Sequence, residues 1–482
     1  MQKVPSGLES RTEGAFKMEG SMNCAVGLDV GTTTICGCVL DVDKKEVLET
    51  WTKEHGFLPA RNSWEKIQDP EIILKAAEGI LREIREKYGA PSVQSIGLTG
   101  QMHGIVYVDT QGKAVSPLYT WQDGRGNQKM GSNPAEICAS YAETLSKRTG
   151  YPCAAGYGGV THYYNLQNEL VPREAAGFCT ISSYLQLCLC GLSKPVVHPS
   201  DAAGIGFYQP ETGAFDRAAI TVAGMKPELF PLVSESFVGK TQDGIPVAVA
   251  IGDNQASFLG TVQEPEKSLL VNIGTGSQIS AWLPCGSKNG QKELEMRPYL
   301  RGDYLTVGSP LCGGRAYAVL EKFFREVVRL GGGPDAPLYS VMNELAEQYR
   351  EFCEPLTVRT TFSGTRTQPE LRGSIAGIST ENFTPAHLAA GVLQGCVEEL
   401  YELYCPMKGR VKRELKYLVG SGNGIRRNKA LQNMLADRFR MDLKIPAYAE
   451  EAAYGAALFA LMLCRGVRAE EIRAFIRYFR AT

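Results

Sequence analysis

The sequence predicts an α/β protein of two domains facing across a cleft. Two short turns far apart in the chain, Asp29-Val30-Gly31-Thr32-Thr33-Thr34 and Asn272-Ile273-Gly274-Thr275-Gly276, share one chemistry, and each follows an apolar, strand-like run. The strand and helix signals around the first turn recur in the same order around the second. With 482 residues the chain has enough material for two domains, each with its own core. Glycine lets backbone N–H groups converge on an anion without a Cβ in the way, and the threonine hydroxyls add donors. A lone Gly-Thr turn is common. A second copy, with an aspartate in the first, suggests a duplicated ATPase gripping one nucleotide from two sides.

In chain order, 24–28, 34–40 and 47–53 read as three strands in a meander. A helix follows, with Asp69 as N-cap, Pro70 at its first position, and Ile72, Ile73, Ala76, Ile80, Leu81 and Ile84 as its apolar stripe. The strand 93–98 comes next. In the second half 269–273, 278–282 and 304–307 are strand-like, and a helix begins near Arg315. Another helix begins with Thr384 as N-cap and Pro385 at its first position, with Phe383 placed to staple onto Leu388. The strand 416–419 and a helix from Asn428 complete the repeat. We therefore expect a polar, disordered leader over 1–23, one domain over 24–258 and a second over 259–482. The run from Tyr454 to Cys464 is too short to span a bilayer and reads as a packed core helix.

Lys and Arg number 51 against 52 for Asp and Glu, so net charge gives no reason to expect nucleic acid or a membrane as partner. The 14 cysteines are scattered, without a CxxC pair, and read as small thiols of a reducing, cytoplasmic compartment. The leader carries charges and no apolar central stretch, unlike a secretory signal.

Gly252-Asp253-Asn254-Gln255 ends the apolar run 245–251, which reads as one buried strand. Asp253 could take a proton from a substrate hydroxyl or cap a helix starting near Gln255; both readings fit the sequence. Gly100-Gln101-Met102-His103-Gly104 and Trp121-Gln122-Asp123-Gly124-Arg125 together supply an aromatic face, amide and carboxylate acceptors, and an imidazole. That mixture suits a polyol, although His103 and Trp121 taken singly also read as core residues. Gly420-Ser421-Gly422-Asn423-Gly424 and Gly313-Gly314 precede helices and can admit an adenine or a phosphate, or form tight turns only.

The order DVGTTT, GQMHG, TWQDGR, SDAAG, GDNQAS, NIGTGS, GG, GSGNGIRRN and EEAAYGAAL resembles the FGGY carbohydrate kinases, of the actin and hexokinase type of ATPase fold with two RNase H-like domains. The resemblance covers nearly everything after the leader. GQMHG, TWQDGR and GDNQAS are most similar to members acting on sedoheptulose, with xylulose kinases next. Glycerol kinases typically have Arg-Glu where this chain has Met102-His103.

The resemblance implies ATP and Mg²⁺ as cofactors, with Asp253 as catalytic base and Asp29 and Asp253 orienting hydrated Mg²⁺. Gly31, Thr32 and Thr33 would meet the terminal phosphate, and Gly274, Thr275 and Gly276 would close over it. Gly313, Gly420, Gly422 and Asn428 would line the adenosine site. Gln101, Met102, His103, Trp121 and Asp123 would shape the sugar pocket, with Asn254 beside it. Many relatives place a lysine after the Thr149-Gly150 segment, where this chain reads Thr161-His162-Tyr163-Tyr164-Asn165. The implied activity is transfer to the terminal hydroxyl of sedoheptulose. A kinase of another ketose such as xylulose, and a non-catalytic ATP-binding scaffold or sensor, stay open beside it. A homodimer is admitted, and nothing in the sequence reads out the oligomeric state.

Overall fold

The computed structural model describes residues 23–131, 139–287, 294–365, 368 and 370–479, so all of the leader but Asn23 lies outside the described residues. The first sheet starts with β1 (Cys24–Val30), β2 (Thr34–Asp41) and β3 (Glu46–Glu54), an antiparallel meander in which Val26 faces Val39. β1 is apolar on both faces because both are covered, the pattern of a central strand. α1 (Pro70–Tyr88) begins as expected, with the Asp69 carboxylate accepting from the Glu71 and Ile72 backbone N–H groups. Its buried stripe is Ile73, Ala77, Ile80, Leu81 and Ile84. Ile72, expected in that stripe, is 53% exposed: it lies 100° round the helix from Ile73, on the solvent side.

β4 (Val93–Gly100) then runs parallel to β1. Between it and the next strand of this sheet lies a layer with its own aromatic core, built on Tyr107, Phe178, Phe207 and Phe230. Its short helices include Tyr141–Thr149, Gly158–Gln167 and α2 (Pro199–Ile205), while the helix Ile181–Cys190 packs on the first sheet.

β5 (Phe237–Lys240) and β6 (Pro246–Ala248) form the far edge, giving the order β5-β6-β4-β1-β2-β3. The expected single strand over 245–251 is instead split into β6 and β7 (Ile251–Gly252), both parallel to β4. The break has a physical cause. Ala250 N–H donates to the Gln186 side chain at 2.8 Å, which takes that donor out of the ladder, while Val249 N–H stays in register with the edge strand and donates to Ser236 O at 3.0 Å. α3 (Asp253–Thr261) follows at once, with Gly252 as N-cap. Asp253 is thus the first helical residue and not the cap of a helix starting near Gln255.

The second sheet repeats the plan. β8 (Ser268–Ile273), β9 (Ser277–Leu283), β10 (Glu295–Pro298) and β11 (Tyr304–Gly308) are antiparallel, and β12 (Tyr417–Ser421) and β13 (Asp442–Lys444) run parallel to β8, in the order β10-β11-β9-β8-β12-β13. With the edge strands β5 and β10 set aside, β3-β2-β1-β4-β6 of the first sheet and β11-β9-β8-β12-β13 of the second follow the same sequence. α4 (Arg315–Leu330), α5 (Pro385–Val411) and α6 (Lys429–Phe439) cover it. At the start of α5 the Thr384 hydroxyl caps the His387 N–H, but Phe383 remains 58% exposed. The hydroxyl cap, not a buried staple, therefore fixes the chain's entry.

α7 (Glu451–Arg465) is the expected core helix, and it packs on β1, β4 and α3 of the first half. Small residues permit the approach: a Cβ on Gly27 would lie 1.8 Å from Ala453 O, and one on Gly97 1.9 Å from Ala456 O. One hydrophobic cluster consequently contains Ala25 and Leu40 of the first sheet, Leu270 and Val419 of the second, and Ala453 to Met462. The division between 258 and 259 falls inside α3. All described cysteines are free thiols, and no described helix is long and apolar enough to cross a membrane.

Candidate active site

A cleft of about 300 Å³ opens where the two sheets meet, bounded by Asp29, Asp253 and Asn254 on one side and by Asn272, Gln278 and Glu450 on the other. Asp29 stands near the C-terminal end of β1, and Asp253 starts the helix after β7; both positions follow from parallel strands that deliver their ends to one edge. Burial, then the neighbouring Asp253 and Glu450 charges, push the Asp29 carboxyl up to about 7. Burial also raises Asp253, opposed by the Arg297 guanidinium and by its own hydrogen bond from Asn254 N–H at 2.6 Å. Asp29 Oδ1 is buried with no hydrogen-bond partner. Carboxylates placed this way suit a hydrated divalent cation.

The first turn is held from behind. Gln68 Nε2 donates to Thr32 O at 2.5 Å, Gln101 Nε2 donates to Gln68 Oε1 at 2.9 Å, and His55 Nε2 lies 3.1 Å from Gly31 O. Gln101 thus braces the turn from inside, with its own Oε1 left unpartnered. Trp121, 46% exposed, donates Nε1–H to Thr32 Oγ1 at 3.0 Å, so the aromatic wall and the turn are one unit. Sequence reasoning missed Gln68 and His55.

The second turn is exposed at Gly274, Thr275 and Gly276, with Gly274 N–H bonded to Gly276 O at 2.9 Å. The start of α4 closes on it, and Arg315 N–H donates to Thr275 O at 2.9 Å. Gly313 and Gly314 make this approach possible: a Cβ on Gly314 would lie 2.0 Å from Gly274 O, and Gly313 has φ 51°. A helix start beside free backbone donors is a ready anion site. Gly422, at φ 84°, passes 2.6 Å from Ile273 O by the same test, whereas Gly420 lies within β12 and meets only apolar side chains. Asn428 is buried; its Oδ1 caps α6 at Leu431 N–H and its Nδ2 donates to Asn343 Oδ1, which also accepts from Tyr317 OH. Asn428 therefore orders the wall beside α4 through Asn343.

Through Met102, packed against Gly252, a polar and aromatic wall adjoins Asp253. His103 has φ 73°, a left-handed conformation unusual outside glycine. Its ring stacks on Tyr157 at 4.8 Å and 5°, and its Nδ1 lies 2.9 Å from Gly204 O at the end of α2. Met102 is buried against Gly252. Asp123 is 1% exposed with both oxygens in use: Oδ1 accepts from Arg125 N and Nε, and Oδ2 from Arg125 Nη2 and Lys66 N. It fixes Arg125, whose guanidinium stacks on Tyr119 at 4.0 Å, and the loop at Lys66. Asn254 Nδ2 crosses the cleft to Gln278 Oε1 at 2.6 Å and Ser280 Oγ at 3.2 Å. Tyr157 and Arg297 are further residues that sequence reasoning did not mark.

Comparison with known proteins fits this geometry. The N-terminal domain of the FGGY family of carbohydrate kinases matches residues 24–260, and its C-terminal domain matches 288–464. The chain belongs to the FGGY family of carbohydrate kinases. Kinases of this family use ATP. This FGGY kinase is 28% identical to sedoheptulokinase of Homo sapiens over 481 residues, spanning 90% of this chain and 97% of the human protein. It is 22% identical to gluconokinase of Bacillus subtilis, over 90% of this chain and 86% of that one. Its fold matches the crystal structure of a xylulose kinase from Rhodospirillum rubrum with a TM-score of 0.79, at 19% identity over 95% and 93% of the two chains. A glycerol kinase from Plasmodium falciparum, solved with ADP, gives 0.76 at 18% identity over 94% and 92%. The FGGY kinase fold is therefore two actin- and hexokinase-type domains around a cleft.

Proposed function

We propose that the chain transfers the terminal phosphoryl group of ATP to the terminal hydroxyl of sedoheptulose, giving sedoheptulose 7-phosphate, with Asp253 as catalytic base. The observation that carries this reading is the position of Asp253, in one cleft with Asp29 and next to Gly252, against which Met102 of the polyol-type wall packs. The 28% identity to human sedoheptulokinase supports the choice of sugar. On this reading 24–258 binds the sugar, 259–482 binds the nucleotide, and the reaction is cytoplasmic.

Phosphoryl transfer has a loose transition state, so alignment and charge neutralisation matter more than covalent chemistry. Asp253 would orient the acceptor hydroxyl and take its proton late, and burial makes its carboxylate a better base than a free aspartate. The unpartnered Asp29 Oδ1 and the adjacent Asp253 fit Mg²⁺, which when bound supplies charge neutralisation at the phosphates. Gly31, Thr32 and Thr33 face the transferred phosphate from one side, and Gly274 to Gly276 from the other. Closure of the cleft keeps water from the nucleotide.

The deciding experiment compares kcat/KM for sedoheptulose, D-xylulose, D-ribulose, D-gluconate and glycerol on one preparation. Sedoheptulose should lead and glycerol trail, because a site that hydrogen-bonds hydroxyls discriminates against acceptors lacking them. A lead for D-xylulose above about tenfold, roughly 1.4 kcal/mol in transition-state binding, would replace the sugar and keep the kinase. That second reading draws on the xylulose kinase relatives. Thr275→Val separates the two ligands. It removes a phosphate donor only, so the apparent KM for ATP should rise while calorimetric sugar binding stays unchanged; the reverse pattern would refute a nucleotide role for the second turn.

A further inference from the structure

The face of the second sheet that meets the first domain carries a cation. Ser280 of β9 pairs with Val307 of β11, and Val307 pairs with Glu295 of β10. Alternate residues of a strand share a face, so Gln278, Ser280, Glu295 and Arg297 all point the same way. Gln278 and Ser280 already meet Asn254, next to Asp253. β10 is docked in the same place: Pro298 O accepts from Gln255 Nε2 at 2.9 Å, and α2 packs against the strand.

The Arg297 side chain is only 12% exposed, and Glu295 Oε2 holds it through Nε at 2.9 Å and Nη2 at 2.7 Å. That pair fixes the guanidinium plane and leaves Nη1 outside it. Its charge acts on both Asp253 and Tyr157. Tyr157 carries His103 flat on its ring, so the Arg297 guanidinium is within electrostatic reach of both Asp253 and the ring that supports His103.

We propose that Arg297 is a specificity-determining residue contributed by the second domain, donating hydrogen bonds to oxygen atoms of a polyhydroxy ketone held between Asp253 and His103. This rests on the ketose reading of the site. A guanidinium has only donors, and a ketose chain presents more acceptor oxygens along its length than glycerol does. The donor comes from the opposite domain, and β10 already rests on the first domain through Pro298 O and Gln255, so its bonds to sugar need no further closure.

The test uses calorimetry on the full chain, with Arg297→Met and Arg297→Lys beside the wild type and sedoheptulose and D-xylulose as probes. Wild type should bind a ketose. In Arg297→Met the sugar Kd should rise more than about tenfold, the loss expected for a charged hydrogen bond, with ATP affinity kept within about twofold. Arg297→Lys keeps the charge without the planar fork, should fall between the two, and serves alone if the methionine variant does not fold. Unchanged sugar affinity in a folded variant overturns this inference alone. Equal weakening of sugar and ATP binding overturns it too, as the mark of a merely structural residue. A wild type that binds no ketose overturns the ketose reading and this inference with it.

Discussion

Asp253→Asn should keep the fold and both ligand affinities and lose about 10²- to 10⁴-fold in kcat, the usual scale for a general base. The substitution is nearly isosteric, and the helix start does not depend on the carboxylate because Gly252 is the N-cap. The Asn254 N–H bond to Oδ1 can be kept by an amide oxygen. What disappears is a proton acceptor at the acceptor hydroxyl. Steady-state kinetics with calorimetry of sugar and ATP decides it: full turnover in the folded variant would leave Asp253 a bystander.

Gly455→Ala should cost about 3 kcal/mol or more, the upper end of overpacking effects. A methyl there would lie 1.8 Å from Ala256 O and 2.6 Å from Ala256 C, both backbone atoms, so α7 or α3 has to move. Ala256 is on the first turn of α3, directly behind Asp253, so activity should fall with stability. Gly409→Ala on α5 is the control. A Cβ there meets nothing within 4 Å, and the change should be neutral or stabilising by up to about 1 kcal/mol. Denaturant melts of the two variants measure the contrast, and a Gly455→Ala protein as stable as wild type would refute the tight packing.

What the sequence made legible was local. The meander strands follow from apolar runs between turn residues, and the starts of α1, α5 and α6 follow from Asp69-Pro70, Thr384-Pro385 and Asn428, because a cap and its helix are contiguous. Asp29, Asp253 and the two turns stood out for the same reason: each ends its own strand. What stayed hidden depends on distant partners. Gln68 reaches Thr32, and Arg297 faces a residue more than forty positions away; neither carries a periodic signal. The short helices after β4 lack the turns needed for an apolar stripe to repeat. Gln186, on one of them, is also what breaks the expected strand at Ala250.

The seat of α7 on the first sheet bears on how the chain matures during synthesis. β1 to β4 leave the ribosome long before α7, yet the surface that Gly27 and Gly97 present is met by Ala453 and Ala456, more than 300 residues further along the chain. Until those residues emerge, the earliest-made strands hold an unsealed apolar flank, and a fragment ending at 258 would hold it permanently. Contacts of such sequence separation close slowly and late. The two halves therefore mature as one cooperative unit, in which a helix made long after the first sheet completes it.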